Sequence, residues 1–150
     1  MLEIYVDADA CPVKDEIVRV AERHRIHVHL VSNSGMFDFH GHPLVTQTVV
    51  ADGADVADDW IAERIGAGDI VVTQDIPLAD RCIKKDARAL RPNGKPLDKQ
   101  SIGMALATRD LMTDLRSAGE TTRGPRAFAK QDRSNFLQAL ETAIQAVKNA

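Results

Sequence analysis

Aspartates stand at two abrupt exits from apolar segments. Asp7 and Asp9 follow Leu2–Val6, and Asp75 follows the run Ile70-Val71-Val72-Thr73. A third group, Asp52, Asp55, Asp58 and Asp59, spans the end of another apolar segment and the first turns of an expected helix. On a helix, Asp55 shares a face with Asp58 (i, i+3) and Asp59 (i, i+4). Carboxylates gathered in one small space repel one another, and some must protonate unless a cation joins them. Hard divalent ions such as Mg²⁺ or Mn²⁺ take oxygen ligands. Held beside a phosphoester, they support in-line attack by an activated water. Aspartate also caps helix N-termini, so Asp9, Asp55 or Asp75 taken singly could do only that. Convergence of the three groups is what would make a site.

The surrounding pattern must supply that convergence. Leu2–Val6, Ile26–Val31, Leu44–Val50, Asp69–Thr73 and Ala87–Leu90 read as strands,. Helices are expected from Pro12 to about Arg25, over Ala54–Ile65 and over Pro77–Lys85, with a proline in the first turn of the first and third,. Turns are expected at Ser32–Gly35 and Arg91–Gly94, and an irregular stretch at Met36–Pro43,. Strand and helix alternate through the first ninety or so residues, which predicts an α/β fold: a mainly parallel central sheet with helices on both faces. In such sheets ligands bind outside the carboxyl ends of the strands, where Asp7, Asp9 and Asp75 fall. Gln100–Arg116 and Asp132–Val147 read as amphipathic helices, joined by a loop over Ser117–Lys130. These helices, from about residue 100, either pack on the sheet core or offer a face to a second copy. One domain over 1–150 fits the length.

Charge divides along the chain. Residues 1–80 carry five Lys and Arg against fifteen Asp and Glu; residues 81–150 carry fourteen against seven. An acidic centre flanked by basic elements suits a metal ion and a polyanion, although charge alone does not separate that from two solvated faces. Lys84, Lys85, Arg109, Arg123, Arg126 and Lys130 are the candidate phosphate-holding cations. Aromatics make up 4% of the chain, which weighs against base stacking as the main mode of binding,.

The other reactive residues read more plainly. Cys11 and Cys82 have neither CxxC nor zinc-like spacing,. Cys11 could be activated at a helix N-terminus, but a small buried residue is the preferred reading. His24, His27 and His29 suit surface or capping roles, and His40 and His42 flank Gly41 in a loop. The N-terminus shows no leader pattern, and no run nears the roughly 18–20 apolar residues of a membrane span, so a cytoplasmic protein is expected,.

Several runs resemble the YaiI/YqxD family: Val6-Asp7-Ala8-Asp9-Ala10-Cys11-Pro12, then Gly53–Ile61, then Gly68–Ala79. Arg109–Met112, Arg116 and Gly119 resemble a third block of that family, and Gly124-Pro125, Phe128, Asp132-Arg133 and Phe136 a last one. The family in turn resembles the PIN-like superfamily of metal-dependent nucleases. That resemblance implies a three-layer PIN-like sandwich with an acidic centre for Mg²⁺ or Mn²⁺. Its acids would be Asp7, Asp58 or Asp59, and Asp75, with Asp9 and Asp55 as further ligands.

Three functions compete. A nuclease or phosphodiesterase acting on RNA or DNA would use Asp7, Asp58 and Asp75. A haloacid-dehalogenase-like phosphatase would use Asp7 and Asp9 as nucleophile and acid, with Ser32 or Ser34 on the phosphate. A non-enzymatic nucleic-acid-binding module would keep the fold alone.

Overall fold

A computed structural model describes residues 2–33, 39, 41–51, 53, 55–104, 106–107 and 129–149. The expected turn at Ser34-Gly35, His40, Asp52, Arg109, Arg123, Arg126 and most of the expected loop over 117–130 lie outside these residues.

Among the described residues six strands form one sheet: β1 (Glu3–Asp7), β2 (His27–Ser32), β3 (Val45–Val49), β4 (Ile70–Val72), β5 (Arg88–Leu90) and β6 (Pro96–Leu97). Their order is β3-β2-β1-β4-β5-β6. The pairings from β3 to β5 are all parallel, and β6 alone returns antiparallel on β5. The central strands β1, β2 and β4 bury apolar residues on both faces, so both must be covered,. Ile4 and Val6 enter one hydrophobic core with Val28, Leu30, Ile70 and Val72. Tyr5, Val31, Val71 and Ala89 enter the other.

Among the described residues, four helices of eight residues or more flank the sheet. The helix α1 (Lys14–His24) and the last helix, α4 (Lys130–Lys148), cover the first face. Phe136, Leu140 and Ile144, four residues apart, give α4 its fully buried stripe,. That stripe is used within the chain and is not a dimer face. The helices α2 (Val56–Arg64) and α3 (Ile76–Ile83) cover the second face. The result is a three-layer α/β sandwich. Residues 101–104 and 106–107 are helical, in the first part of the helix expected over Gln100–Arg116. Among the described residues no helix is long and apolar enough to cross a membrane.

Three local expectations change. Helix α1 begins at Lys14, not at Pro12, because a 3₁₀ turn (Ala8–Ala10) intervenes first. Lys130 belongs to the first turn of α4 rather than to the preceding loop. Strand β6 was not expected, since two residues carry no periodicity of their own. Helix α1 does stop where expected, with Arg25 left-handed at φ +55° and its N–H on the Ala21 and Glu22 carbonyls,.

The chain winds outward from β1 to β2 and β3, then returns to start β4 on the other side of β1. The strand order therefore reverses between β1 and β4. Crevices at such a switch point are where ligands bind.

Candidate functional site

Asp7 is the last residue of β1, and Thr73, Gln74 and Asp75 join β4 to α3. The two strands are neighbours, so these side chains meet at the switch point. Alternation along β1 puts Asp7 on the side of Tyr5, the face covered by α2 and α3,. The buried Thr73 hydroxyl donates to Asp7 Oδ2 at 3.2 Å and accepts from the Asp75 N–H at 2.9 Å. Asp75 Oδ1 accepts from the Leu78 N–H at 3.0 Å and so caps α3. Asp75 is thus a helix cap and a member of the acidic group at once.

Asp58, in the first turn of α2, completes the group. Its carboxyl stands next to that of Asp75 and within reach of the charge of Asp7. Burial first, then the charges of Asp75 and Asp7, push the Asp58 carboxyl up to about 7,. Asp7 is also raised. Burial is the main cause, opposed by the Thr73 hydroxyl and helped by the charges of Asp75 and Asp9.

The remaining candidates sit around this trio. Asp9 is held from β2, accepting from the Ser32 hydroxyl and from the Asn33 N–H at 2.8 Å. Its charge is felt at Asp7. Asp55 stands exposed at the N-cap position of α2, makes no side-chain cap bond, and adds its charge at Asp58. Asp59 turns away to an ion pair with Arg81 at 2.7 Å. The structure therefore brings together Asp7, Asp58 and Asp75, keeps Asp9 and Asp55 at the margin, and separates Asp59.

Oxygen donors alone, mutually repelling and partly desolvated, are the donor set a hard divalent cation prefers. The raised Asp7 and Asp58 carboxyls record the repulsion that such an ion would relieve. Among the described residues, no group of three or more His, Cys, Asp and Glu side chains is placed so that it could hold a metal ion. Asp7, Asp58 and Asp75 therefore match a hard cation in donor type, though not in their present placement,.

The expected cations are placed unevenly. Lys84 pairs with Asp80 at 2.9 Å, and Lys85 gives its ammonium to the Ala62 carbonyl. Both lie just past the end of α3, one helix length of about 12 Å from Asp75 at 1.5 Å per residue,. Because α3 runs back toward the amino ends of the strands, they face the far edge of the sheet. Lys130 stands at the start of α4, and Arg109, Arg123 and Arg126 lie outside the described residues.

On the α4 side of the switch point lies a cleft of about 1060 Å³. Asp9 and Gln74, next to the acidic trio in sequence, line one part of it. Arg91, Asn93 and Lys95 on the β5–β6 turn and Asn135 on α4 line another. The sequence marked this turn as a turn, but gave Arg91 and Lys95 no distinction from other surface cations. Thr73 was likewise read only as the end of a strand.

Cys11 also borders the cleft, and burial pushes its thiol up to about 11. Cys82 is buried in α3 and is pushed up to about 12 for the same reason. Neither is poised as a thiolate. His24 contacts Glu141, His27 contacts Thr46, His29 contacts Glu3 and His42 contacts Glu22. These histidines are engaged away from the aspartates.

Residues 5–146 match the family model described as "Uncharacterized BCR, YaiI/YqxD family". The chain belongs to the YaiI/YqxD family. It is 62% identical over 148 residues to a UPF0178 protein of Parvibaculum lavamentivorans, covering 99% of this chain and 97% of that one. A UPF0178 protein of Rhodopseudomonas palustris is 60% identical, covering 98% of this chain and 92% of its own length. A UPF0178 protein of Rhodospirillum rubrum is 57% identical, covering 98% of both chains. No solved structure matches. The family match spans β1 through most of α4, so it takes in Asp7, Asp58, Asp75 and the cleft.

Proposed function

We propose that this YaiI/YqxD protein is a divalent-metal-dependent phosphodiesterase that cleaves RNA or DNA at the Asp7–Asp58–Asp75 centre. The observation that carries it is the convergence of Asp58 and Asp75 beside Asp7 at the strand-order switch point. A protein gains nothing in stability from three repelling carboxylates there, but they are apt ligands for Mg²⁺ or Mn²⁺. The resemblance of the family to PIN-like nucleases agrees, as analogy.

Asp7, Asp58 and Asp75 would hold the ion, which when bound supplies charge stabilisation at phosphorus and a more acidic water. Thr73 positions Asp7 and the backbone of Asp75 together. Asp58, its carboxyl raised to about 7, would lose its proton on ligating the ion,. Asp9 and Asp55 add negative potential at the margin.

Of the two serines that the phosphatase reading would place on the phosphate, Ser34 lies outside the described residues and the Ser32 hydroxyl is buried and donates to Asp9. That contact favours the phosphodiesterase.

The test is cleavage of labelled single-stranded RNA and DNA with Mn²⁺, with Asp7→Asn and Asp75→Asn beside the unaltered protein and a phosphomonoester in parallel. Manganese-dependent cleavage lost in both variants is expected. Phosphate release without strand cleavage would overturn this function in favour of a phosphatase. No turnover on either substrate would leave a binding module.

A further inference from the structure

We infer that the β5–β6 turn is a phosphate clamp, with Arg91 and Lys95 holding the backbone of a single-stranded nucleic acid in the cleft beside the acidic centre. The inference rests on the function proposed above and names where its substrate is held.

Four observations point there. The first is place: the cleft reaches Asp9 and Gln74 on one side and Arg91, Asn93, Lys95 and Asn135 on the other. A strand lying in it would leave the turn and cross the carboxyl ends of β1 and β4 toward Asp7 and Asp75.

The second is charge. Among the described residues, neither Arg91 nor Lys95 has a carboxylate partner. The acids that line the same cleft are already supplied with donors: Asp9 by Ser32 and Asn33, and Asp132 by the Ala129 N–H at 2.9 Å. The lining carries two cations against two carboxylates, and it is the cations that are left without an ionic partner to meet a phosphate. The first turn of the nineteen-residue α4, with Lys130 on it, adds the favourable end of a helix dipole,.

The third is rigidity. Gly94 packs its backbone directly on α4: a Cβ there would meet the Asn135 carbonyl carbon and oxygen at 2.7 Å and the Phe136 nitrogen at 2.8 Å. The Arg91 N–H donates to the Lys95 carbonyl, and the Gly94 N–H to the Arg91 carbonyl, both at 2.9 Å. The two cations are thus mounted on a closed turn pinned to a helix. A clamp held this way loses less freedom on binding than cations on a free loop.

The fourth is size. The cleft, at about 1060 Å³, exceeds the roughly 300–1,000 Å³ of small-ligand sites, which suits a few extended nucleotides,. Among the described residues its lining offers amides, cations, prolines and the two hydrogen-bonded carboxylates but no aromatic ring, so it suits a sugar-phosphate backbone rather than stacked bases,.

The experiment is fluorescence anisotropy of a short labelled single strand, RNA in one arm and DNA in the other, with Ca²⁺ replacing Mn²⁺. The protein is compared with Arg91→Ala, Lys95→Ala and Arg91→Lys, all checked for an unchanged melting midpoint. Each alanine variant should weaken binding several-fold for both strands and lower the log Kd–log salt slope by about 0.7, the value for one phosphate contact on a single strand. Arg91→Lys should keep the slope, and Lys84→Ala, at the far edge of the sheet, should change the Kd less than twofold. Unchanged affinity and slope in the alanine variants would overturn the clamp, and so would failure of the unaltered protein to bind either strand. If binding follows this pattern while Mn²⁺ produces no cleavage, the clamp stands and the phosphodiesterase falls.

Discussion

The Thr73 hydroxyl donates to Asp7 Oδ2 across the β1–β4 boundary at 3.2 Å, and the same oxygen accepts from the Asp75 N–H at 2.9 Å. One buried hydroxyl therefore fixes the last carboxylate of β1 to the backbone that opens α3. Thr73→Val keeps the shape and removes both bonds. The Asp7 carboxyl, already raised by burial, should rise further without its donor. The Asp75 N–H should be left unpaired, and stability should fall by about 1–3 kcal/mol, the cost of such a group when desolvated. Urea denaturation with Thr73→Ser as the rescuing variant checks this. A Thr73→Val protein as stable as the unaltered one would show that water replaces the hydroxyl.

Asp58 gives the pH dependence its sign. In the folded protein its carboxyl keeps a proton up to about pH 7, whereas the unfolded chain releases it near 4,. Between those values the folded state binds more protons, so without divalent ions stability falls as pH rises from 4 to 7 and stays low above. Asp58→Asn removes that cost. At pH 8 in EDTA the variant should be more stable by about 1–2 kcal/mol, after discounting for the solvent that reaches a half-exposed carboxyl. For a chain of this size that is about 2–6 °C in Tm. At pH 4 the difference should vanish. Adding Mn²⁺ at pH 8 should raise the Tm of the unaltered protein and leave that of Asp58→Asn nearly unchanged. A variant less stable at pH 8 than its parent would refute the repulsion.

The two duties of Asp75 can be separated. Asp75→Asn retains an oxygen for the Leu78 N–H, and asparagine caps helices as well as aspartate does,. It also lowers the charge beside Asp58. Asp75→Ala lowers the charge equally but gives up the cap, at about 0.5–2 kcal/mol. In EDTA at pH 8 the Asn variant should melt above the Ala variant, and both should let the Asp58 carboxyl fall from its raised value. Carboxyl titration followed by ¹³C NMR reads that fall directly. If Asp58 titrates unchanged in both variants, Asp75 is not its partner.

The parallel core was legible because its strands are short apolar runs and its helices start at prolines or acids. The site was legible only to the level of place. That Asp7 and Asp75 fall at strand ends follows from the βα alternation, but which strands adjoin is a tertiary fact, and the β1–β4 pairing is what joins them. Asp58 and Asp59 could not be told apart by spacing. One helical step of 100° sends the first toward Asp75 and the second to Arg81. The cations mislead more. Lys84 and Lys85 follow Asp75 closely in sequence, yet α3 carries them to the other edge of the sheet. Arg91 and Lys95 reach the cleft through β6, a strand too short to announce itself.

Gly94 and Gly41 form a matched pair that isolates the packing of the clamp. Both are left-handed, at φ +91° and +81°. A Cβ at Gly41 meets nothing within 4 Å, whereas one at Gly94 strikes the backbone of Asn135 and Phe136. Gly41→Ala should therefore cost only the left-handed backbone, about 1–2 kcal/mol. Gly94→Ala should cost that and the collision as well, roughly a further 1–3 kcal/mol, since the struck atoms are helix backbone and cannot rotate away. Urea midpoints compare the two. Relief of the collision requires the turn to lift off α4, carrying Arg91 and Lys95 out of register with Asp9 and Gln74. The surviving folded Gly94→Ala protein should then bind single strands more weakly, while Gly41→Ala binds as before. Equal costs for the two substitutions would mean that the turn does not rest on α4, and the clamp would lose its mounting.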